Sequence, residues 1–110
     1  MCQENSSLLI WGNEITFNIY GIEVGMLSSD TTNPDIGGGI KNGVGQNKIS
    51  GNSANGISNK TTHNIYAKNN WWGDADGPKY PGDFSSSGDW IYWSETGGNI
   101  IFEPYLDTEP

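Results

Sequence analysis

The longest segment of this 110-residue chain without glycine, proline or asparagine has only eight residues, 89–96. An average helix needs about 11 residues. Glycine disfavours a helix interior through its backbone freedom, and asparagine does so through competing hydrogen bonds. The chain has 16 glycines and 13 asparagines. All-α and α/β folds are therefore disfavoured, and the sequence predicts one compact all-β domain.

A short phrase recurs along the chain. Residues 13–18 follow the pattern N-x-I-x-x-N, which returns in full at 47–52 and in part at 64–69. A Gly-Ile pair follows the first two copies, at 21–22 and 56–57. The isoleucines of successive copies are 34 and 16 residues apart, so we interpret the repeat as a step of 16 residues with one insertion. Such short repeats are typical of a solenoid in which each coil stacks on the previous one.

Apolar and polar residues alternate within the repeats, as at Ile15, Phe17 and Ile19. A period of two indicates strands with one buried face. The strands end at asparagine or glycine, which tolerate the left-handed backbone of a sharp corner. We expect side-chain hydrogen bonds from coil to coil between the corner asparagines, which are Asn13, Asn18, Asn47, Asn52, Asn64 and Asn69. An antiparallel β-sandwich explains the alternation equally well, but not the repeated phrase.

Two segments depart from the repeat. Residues 28–45 are rich in glycine and small polar residues and predict an inserted loop. The aromatic residues are concentrated towards the end of the chain. We therefore divide the single domain into coils at residues 1–72, including the inserted loop, and a C-terminal capping region at residues 73–110.

The C-terminal part of the chain is suited to cover an open solenoid end. Residues 71–110 hold nine of the 13 aromatic residues. An open end exposes apolar core and unpaired strand edges, so it needs a cap. We expect Trp71 and Trp72 to plug the core there. Residues 89–93 and 99–102 flank a turn and predict either a hairpin or two edge strands.

Residues 65–73 end in Asn-Asn-Trp-Trp-Gly, and Gly-Pro at 77–78 and Phe-Glu-Pro-Tyr-Leu at 102–106 follow. Together with residues 32–39 and 45–52, these segments resemble secreted bacterial right-handed parallel β-helix repeat proteins of pectate-lyase-like topology. The resemblance implies a short right-handed parallel β-helix, here with room for about four coils, whose C-terminal end the last segment closes. It also implies an extracellular or cell-surface location, although the sequence shows no signal-peptide pattern.

The N-terminal coil is expected to be open. In the family that the sequence resembles, the first coil is capped by a helix, whereas the first residues here show no helical pattern. Large apolar patches are generally buried by a partner. We therefore expect self-association, as a homodimer, through the apolar residues of the first coil, which are Leu8, Leu9, Ile10 and Trp11.

Charge and hydropathy exclude two classes of partner. The chain has a formal net charge of −8, with five basic residues that are all lysine. Nucleic-acid binding requires clustered basic residues, which are absent. The longest apolar run, at residues 8–11, has four residues, too few for a membrane-spanning helix of about 20 residues.

The sequence provides no convincing catalytic set. β-Helix lyases similar to pectate lyase abstract a proton with arginine or lysine beside Ca²⁺, and here Lys60 and Lys68 are the basic candidates, with no acidic cluster nearby. The acidic residues of the coils show no spacing typical of a glycosidase pair. We therefore assign no catalytic residue and favour a non-catalytic structural or binding module that contacts carbohydrate or protein. A small or remnant polysaccharide-acting enzyme, a lyase or glycosidase, is the alternative.

The aromatic residues of the capping region are the candidates for ligand contact, since exposed rings stack on sugars. The candidate ligand-binding residues are Tyr80, Trp90, Tyr92 and Trp93.

No cofactor is expected, with Ca²⁺ as the one candidate. The loop that contains Asp74, Asp76 and Asp83 is similar to the middle of an EF-hand loop, but Trp72 stands at the first ligand position and cannot coordinate the ion. These three aspartates are therefore a weak metal-binding candidate.

Overall fold

The computed structural model describes residues 8–25, 33–39, 41–93 and 97–110, and within them the chain forms eight short strands and no helix. Glycine or asparagine follows closely on most strands, so no strand exceeds five residues. The strands are β1 (Glu14–Thr16), β2 (Tyr20–Val24), β3 (Asp35–Gly37), β4 (Lys48–Ser50), β5 (Asn55–Asn59), β6 (Ile65–Ala67), β7 (Ile91–Trp93) and β8 (Ile100–Ile101). The protein is all-β in this described part, as expected.

The strands form three parallel sheets: the first is β1-β4, the second β2-β5-β7 and the third β3-β6-β8. Consecutive strands belong to different sheets, so β1, β2 and β3 make a first layer and β4, β5 and β6 a second. β7 and β8 extend the second and third sheets into a third layer. There Trp71 makes a parallel bridge with Lys48 beside the first sheet. The described strands therefore form a stack of three layers.

The register of the sheets corrects the expected repeat. Ile15 pairs directly with Ile49, and Ile57 with Ile91, so a spacing of 34 residues is one layer and not two steps. The spacing of 16 residues between Ile49 and Ile65 joins two strands of the same layer, which lie in different sheets. The step of 16 residues is therefore wrong, and the described strands complete three layers where about four coils were expected.

Strand pairing also decides between the alternatives. All five strand pairings among the described residues are parallel, so the antiparallel sandwich is wrong. β7 and β8 lie at the ends of different sheets, so they are edge strands and not a hairpin. β3 falls within residues 28–45, so this segment is not an inserted loop throughout.

Inward-facing isoleucines from the three sheets form the core. In the second sheet Ile22, Ile57 and Ile91 lie side by side and are all buried. Trp72 is fully buried, whereas its neighbour Trp71 is half-buried. Burying one isoleucine side chain contributes about 1.5–3 kcal/mol to the free energy of unfolding. The other core residues are Val24, Ile36, Ile49, Ile65, Ala67, Ile100 and Phe102.

A first column of asparagines links the three layers before the first sheet. The Asn47 side-chain carbonyl accepts from the Asn13 N–H at 2.9 Å, and its amide donates to Asn70 Oδ1 at 2.9 Å. The same amide donates to the carbonyls of Ile10 at 3.1 Å and Ile36 at 3.3 Å. Asn70, and not Asn69, therefore occupies this position in the third layer.

A second column lies after the first sheet. The Asn18 N–H donates to Asn52 Oδ1 at 3.1 Å, and the Asn52 amide donates to Asp89 Oδ2 at 2.7 Å. Asp89 thus stands in the third layer where the lower layers have asparagine. Its burial raises its pKa, and this effect outweighs the hydrogen bonds from Asn52, which lower it.

The remaining two corner candidates are used differently. Asn64 Oδ1 accepts from the Asn99 N–H of the next layer at 3.0 Å. Asn69 adopts a φ of 62°, the left-handed conformation that asparagine tolerates better than most residues. Asn64 therefore bonds between layers through its side chain, and Asn69 serves the corner through its backbone.

Asp35 organises the glycine-rich segment that follows β3. Its buried carboxylate accepts four backbone N–H groups at 2.9–3.0 Å, from Gly37, Gly39, Lys41 and Gly43. Burial alone would raise the Asp35 pKa, but these hydrogen bonds outweigh it and hold the pKa below its ordinary value. A Cβ on Gly39 or Gly43 would lie within 2.9 Å of the carboxyl group, so both positions require glycine.

We expect Asp89→Asn to stabilise the protein at pH 7, by up to about 1 kcal/mol. Asparagine can accept the bonds from Asn52 through its side-chain oxygen without a buried charge, and the gain is limited because the carboxylate also accepts from the Gly51 N–H and attracts Lys79. Because the Asp89 pKa is raised on folding, the wild type loses stability as pH rises from the unfolded-state pKa through the folded one. The gain of the variant should therefore shrink as pH falls towards 4, as urea denaturation at several pH values would measure.

The same change at Asp35 is the control for this prediction. Because the Asp35 pKa is lowered on folding, the ionised Asp35 stabilises the wild type above its unfolded-state pKa. This stabilisation is lost as the pH falls through the folded-state pKa. Asp35→Asn should therefore destabilise the protein at pH 7. Destabilisation by both variants at pH 7 would contradict the assignment of Asp89.

Candidate functional site

The structure separates the four aromatic residues that the sequence suggested for ligand contact. Tyr80 stacks on Trp93 with ring centres 6.3 Å apart, and Trp90 stacks on Phe84 at 4.6 Å. Tyr92 lies on the outer face of β7, with 42% of its surface exposed. Trp90 and Tyr92 therefore do not share a site with Tyr80.

A small cleft lies at the aromatic end of the molecule and has a volume of about 80 Å³. Segments 76–86 and 102–105 form its two sides. Tyr80 and Phe102, with ring centres 4.8 Å apart, both line it. The residues that line it are Asp76, Pro78, Tyr80, Asp83, Ser85, Ser86, Phe102, Glu103 and Tyr105. Tyr80 is thus the one aromatic candidate of the four that lines the cleft.

Glycine allows the two sides of the cleft to approach. Gly77 has a φ of 81°, and a Cβ there would lie 2.9 Å from the Tyr105 ring. The Ser86 hydroxyl donates to the Gly77 carbonyl and accepts from the Gly88 N–H at 2.9 Å. The turn that carries Asp83 is closed by two backbone hydrogen bonds between Tyr80 and Asp83, at 2.9 and 3.0 Å.

The cleft is negatively charged. Asp76, Asp83 and Glu103 line it, and none of its lining residues is basic. The hydroxyl and N–H of Ser85 donate to Asp83 at 2.6 and 3.0 Å and hold its pKa below the ordinary value. Burial raises the Tyr80 pKa, and the charges of Asp83 and Glu103 add to the shift. At neutral pH the cleft therefore presents the ionised carboxylate of Asp83 beside the neutral phenol of Tyr80.

The three aspartates considered for Ca²⁺ do not converge. Asp74 Oδ1 accepts from the Asp76 N–H at 2.8 Å in a local turn, and Asp74 does not line the cleft. Asp83 bonds to Ser85. In the described segments no three acidic, histidine or cysteine residues are grouped so that they could hold a metal ion.

The residues considered for lyase chemistry are engaged elsewhere. Lys60 Nζ lies 3.3 Å from Glu23 Oε1, and Lys68 Nζ lies 5.8 Å from the centre of the Tyr66 ring. A general acid typically has a raised pKa. Asp89 has a raised pKa, but it is buried beside Asn52 and does not line the cleft.

Sequence reasoning missed the partners of Tyr80 in the cleft. Phe102, Glu103 and Tyr105 lie in the last motif segment, and Pro78 lies in the Gly-Pro pair. Both segments were noted for the resemblance, but not as facing each other. Both segments were therefore recognisable in the sequence. Nothing in the sequence indicated that they contact each other across more than 20 residues.

Comparison with known proteins gives one match. The model of a protein family of unknown function, DUF1565, matches residues 3–80. No curated protein and no solved structure gives a significant match. In the described residues, no helix is long and apolar enough to cross a membrane.

Proposed function

The chain belongs to the DUF1565 family, whose function is unknown, and we propose that it is a non-catalytic binding module built as a short right-handed parallel β-helix. The three stacked layers and the parallel register support the helix. Right-handedness is supported by the strong preference of parallel crossovers for that hand, about 98% of cases. In this proposal residues 73–110 close the C-terminal end: β7 and β8 supply strands of the last layer, and the aromatic rings of the remaining residues cap it.

The proposed ligand is a neutral carbohydrate, bound in the cleft at the aromatic end. The observation that supports it is the combination of Tyr80 and Tyr105 with three carboxylates in one concavity. Aromatic rings stack on the apolar face of a sugar. Carboxylates accept hydrogen bonds from sugar hydroxyls, and such charge-assisted bonds are roughly twice as strong as neutral ones.

The charge of the cleft selects among sugars. Three carboxylates without a basic neighbour would repel a uronic acid such as polygalacturonate. A cleft of about 80 Å³ encloses only part of a sugar ring, so the rest of the ligand lies in solvent. We therefore expect weak binding of one neutral end group, with a Kd on the order of 1 mM, equivalent to about −4 kcal/mol.

Calorimetric titration with neutral and uronic-acid oligosaccharides tests this proposal. Neutral sugars should bind, and Asp83→Asn should weaken them about tenfold, or about 1.4 kcal/mol, because it removes a charged acceptor and keeps the side-chain shape. Asp107→Asn is the matched control, since Asp107 is exposed and does not line the cleft.

Three results would contradict the cleft as the sugar site. One is no binding by any sugar, which leaves a protein-contacting or structural role. The second is equal weakening by Asp83→Asn and Asp107→Asn, which would reflect net charge alone. The third is loss of binding in Tyr92→Ser, which would place the ligand on the outer face of β7.

The alternative is a polysaccharide-acting enzyme, and the three carboxylates of the cleft favour it. A glycosidase needs one ionised and one protonated carboxyl on either side of the bond. The lowered pKa of Asp83 suits the ionised member, while the raised pKa of Asp89 lies outside the cleft. Release of reducing sugar from the same oligosaccharides, abolished in Asp83→Asn, would support the enzyme over the binding module.

A further inference from the structure

In the first layer, β1 and β2 have an unpaired outer edge among the described residues, whereas residues 8–10 pair with the outer edge of β3 through a Leu9–Asp35 bridge. β1 pairs only with β4, and β2 only with β5, among the residues that the structure describes. Natural proteins usually protect such edges with lysine, proline or a bulge. β2 has neither lysine nor proline, and its single charge, Glu23, is paired with Lys60 at 3.3 Å. Among the described residues, the outer edge of β2 therefore has no strand partner.

Large apolar side chains of the first layer and of the segments that flank it are exposed. Leu9, Trp11 and Val44 line a groove of about 310 Å³, together with Asn42 and Gly43. Ile10 does not contribute, because it packs against the core, contrary to the expectation from sequence. We call the exposed residues of this end the first-layer apolar surface: Leu8, Leu9, Trp11, Phe17, Ile19, Tyr20 and Val44.

Phe17 is the most exposed of these residues and also has an unfavourable backbone. Its side chain is 88% exposed, and its φ is 59°, a left-handed conformation that is uncommon for a bulky residue. The next layer has Gly51 at the equivalent corner, with a φ of 72°. The first layer thus places an exposed ring where glycine would fit without strain.

The area of this surface matches what a dimer needs. With about 150–250 Å² for a large aromatic side chain, the seven residues expose on the order of 700 Å². A standard interface buries about 800 Å² on each partner. In the third layer and the segment 73–88, the described residues expose only two large hydrophobic side chains, Phe84 and Tyr92, while the rings of Tyr80, Phe102 and Tyr105 pack on one another.

Charge favours contact between two first layers. Residues 71–110 carry a net charge of −7, whereas residues 1–70 carry only −1. Two copies joined at their first layers would hold their acidic ends far apart. Contact through the third layers would bring those acidic ends together, which repulsion opposes.

We infer that the first-layer apolar surface binds a second copy of this chain, as a closed two-fold dimer. A two-fold axis places β2 antiparallel to β2 of the partner, so each edge supplies the hydrogen bonds that the other lacks. Ile19 and Tyr20 are then buried between the two copies, and Phe17, whose ring lies beside Gly51 of the second layer, borders the contact. The capped third layers face outward, so the assembly does not grow beyond two chains.

Sedimentation equilibrium of the 110-residue chain tests the inference, since the monomer mass is 12.0 kDa. The wild type should have twice this mass at about 100 µM. Ile19→Asp should raise the dimer Kd at least tenfold (about 1.4 kcal/mol), because it places like charges in the contact. Tyr92→Asp is the matched control, since it adds the same charge on the outer face of β7 and should leave the Kd unchanged within about twofold.

Phe17→Gly separates loss of contact from loss of fold. Glycine suits the φ of 59°, so circular dichroism and thermal denaturation should show a folded chain, while the dimer weakens. A wild type that stays monomeric overturns the inference. So does a dimer that tolerates both Ile19→Asp and Phe17→Gly, or an assembly that keeps growing with concentration.

Discussion

Asn47→Asp should destabilise the protein by about 3 kcal/mol or more at pH 7, although it changes one side-chain atom. The Asn47 amide nitrogen donates to Asn70 Oδ1 and to the carbonyls of Ile10 and Ile36, at 2.9–3.3 Å. A carboxylate cannot donate. Its second oxygen would therefore face three acceptors in a fully buried position, without water to solvate it.

The effect of Asn47→Asp should depend on pH in a defined direction. Burial among acceptors favours the protonated acid, which can donate one hydrogen bond. The loss of stability should therefore be largest at neutral pH and smaller near pH 3 to 4, where the acid is neutral. Urea denaturation at both pH values measures this difference.

Asn13→Asp is the matched control for this prediction. Asn13 stands in the same column one layer below, but it is exposed and donates mainly to the Trp11 carbonyl at 3.0 Å. Asn13→Asp should lower the free energy of unfolding by less than about 1 kcal/mol, because water solvates the new charge. Equal losses at Asn13 and Asn47 would show that burial within the column is not what makes Asn47 important.

The first two layers are readable from the sequence because they repeat their residues at one spacing. Asn13 and Asn47, like Asn18 and Asn52, lie 34 residues apart and are bonded to each other. The step of 16 residues was wrong because short strands of one layer look alike, whichever sheet they belong to. β4 and β6 both have three residues, so length does not distinguish them.

The third layer is not readable in this way because its spacing and residues change. Asn47 meets Asn70 after 23 residues, while Asn52 meets Asp89 after 37. The segment between Trp72 and Asp89, which forms one side of the cleft, is inserted between the two columns. The same insertion that hides the register therefore creates the candidate site.

The role of Asp35 was also beyond sequence reasoning. Its four N–H donors come from a glycine-rich segment that matches no phosphate-binding or calcium-binding motif. Backbone donors have no sequence signature of their own. The sequence shows only the spacing of the glycines, which make room for the Asp35 carboxylate. We interpret these glycines as residues that close around Asp35.

Gly45→Ala should destabilise the protein by about 3 kcal/mol or more, and Gly12→Ala by only about 1 kcal/mol. The two glycines occupy stacked corners, since the Gly12 N–H donates to the Gly45 carbonyl at 2.9 Å. Their φ angles are 65° and 66°, so alanine has the same backbone strain at both. The two positions differ only in the free space that surrounds the glycine.

The space around each glycine separates the two effects. A Cβ at Gly45 would lie 2.3 Å from the Lys68 carbonyl oxygen and 2.8 Å from that of Asn69, both backbone atoms of the next layer, whereas a Cβ at Gly12 meets nothing within 4 Å. Accommodating the methyl group at Gly45 must shift the corner that holds Asn70 against Asn47. Urea denaturation of both variants measures the difference, and equal losses would mean that left-handed strain, and not close stacking of layers, requires glycine at this corner.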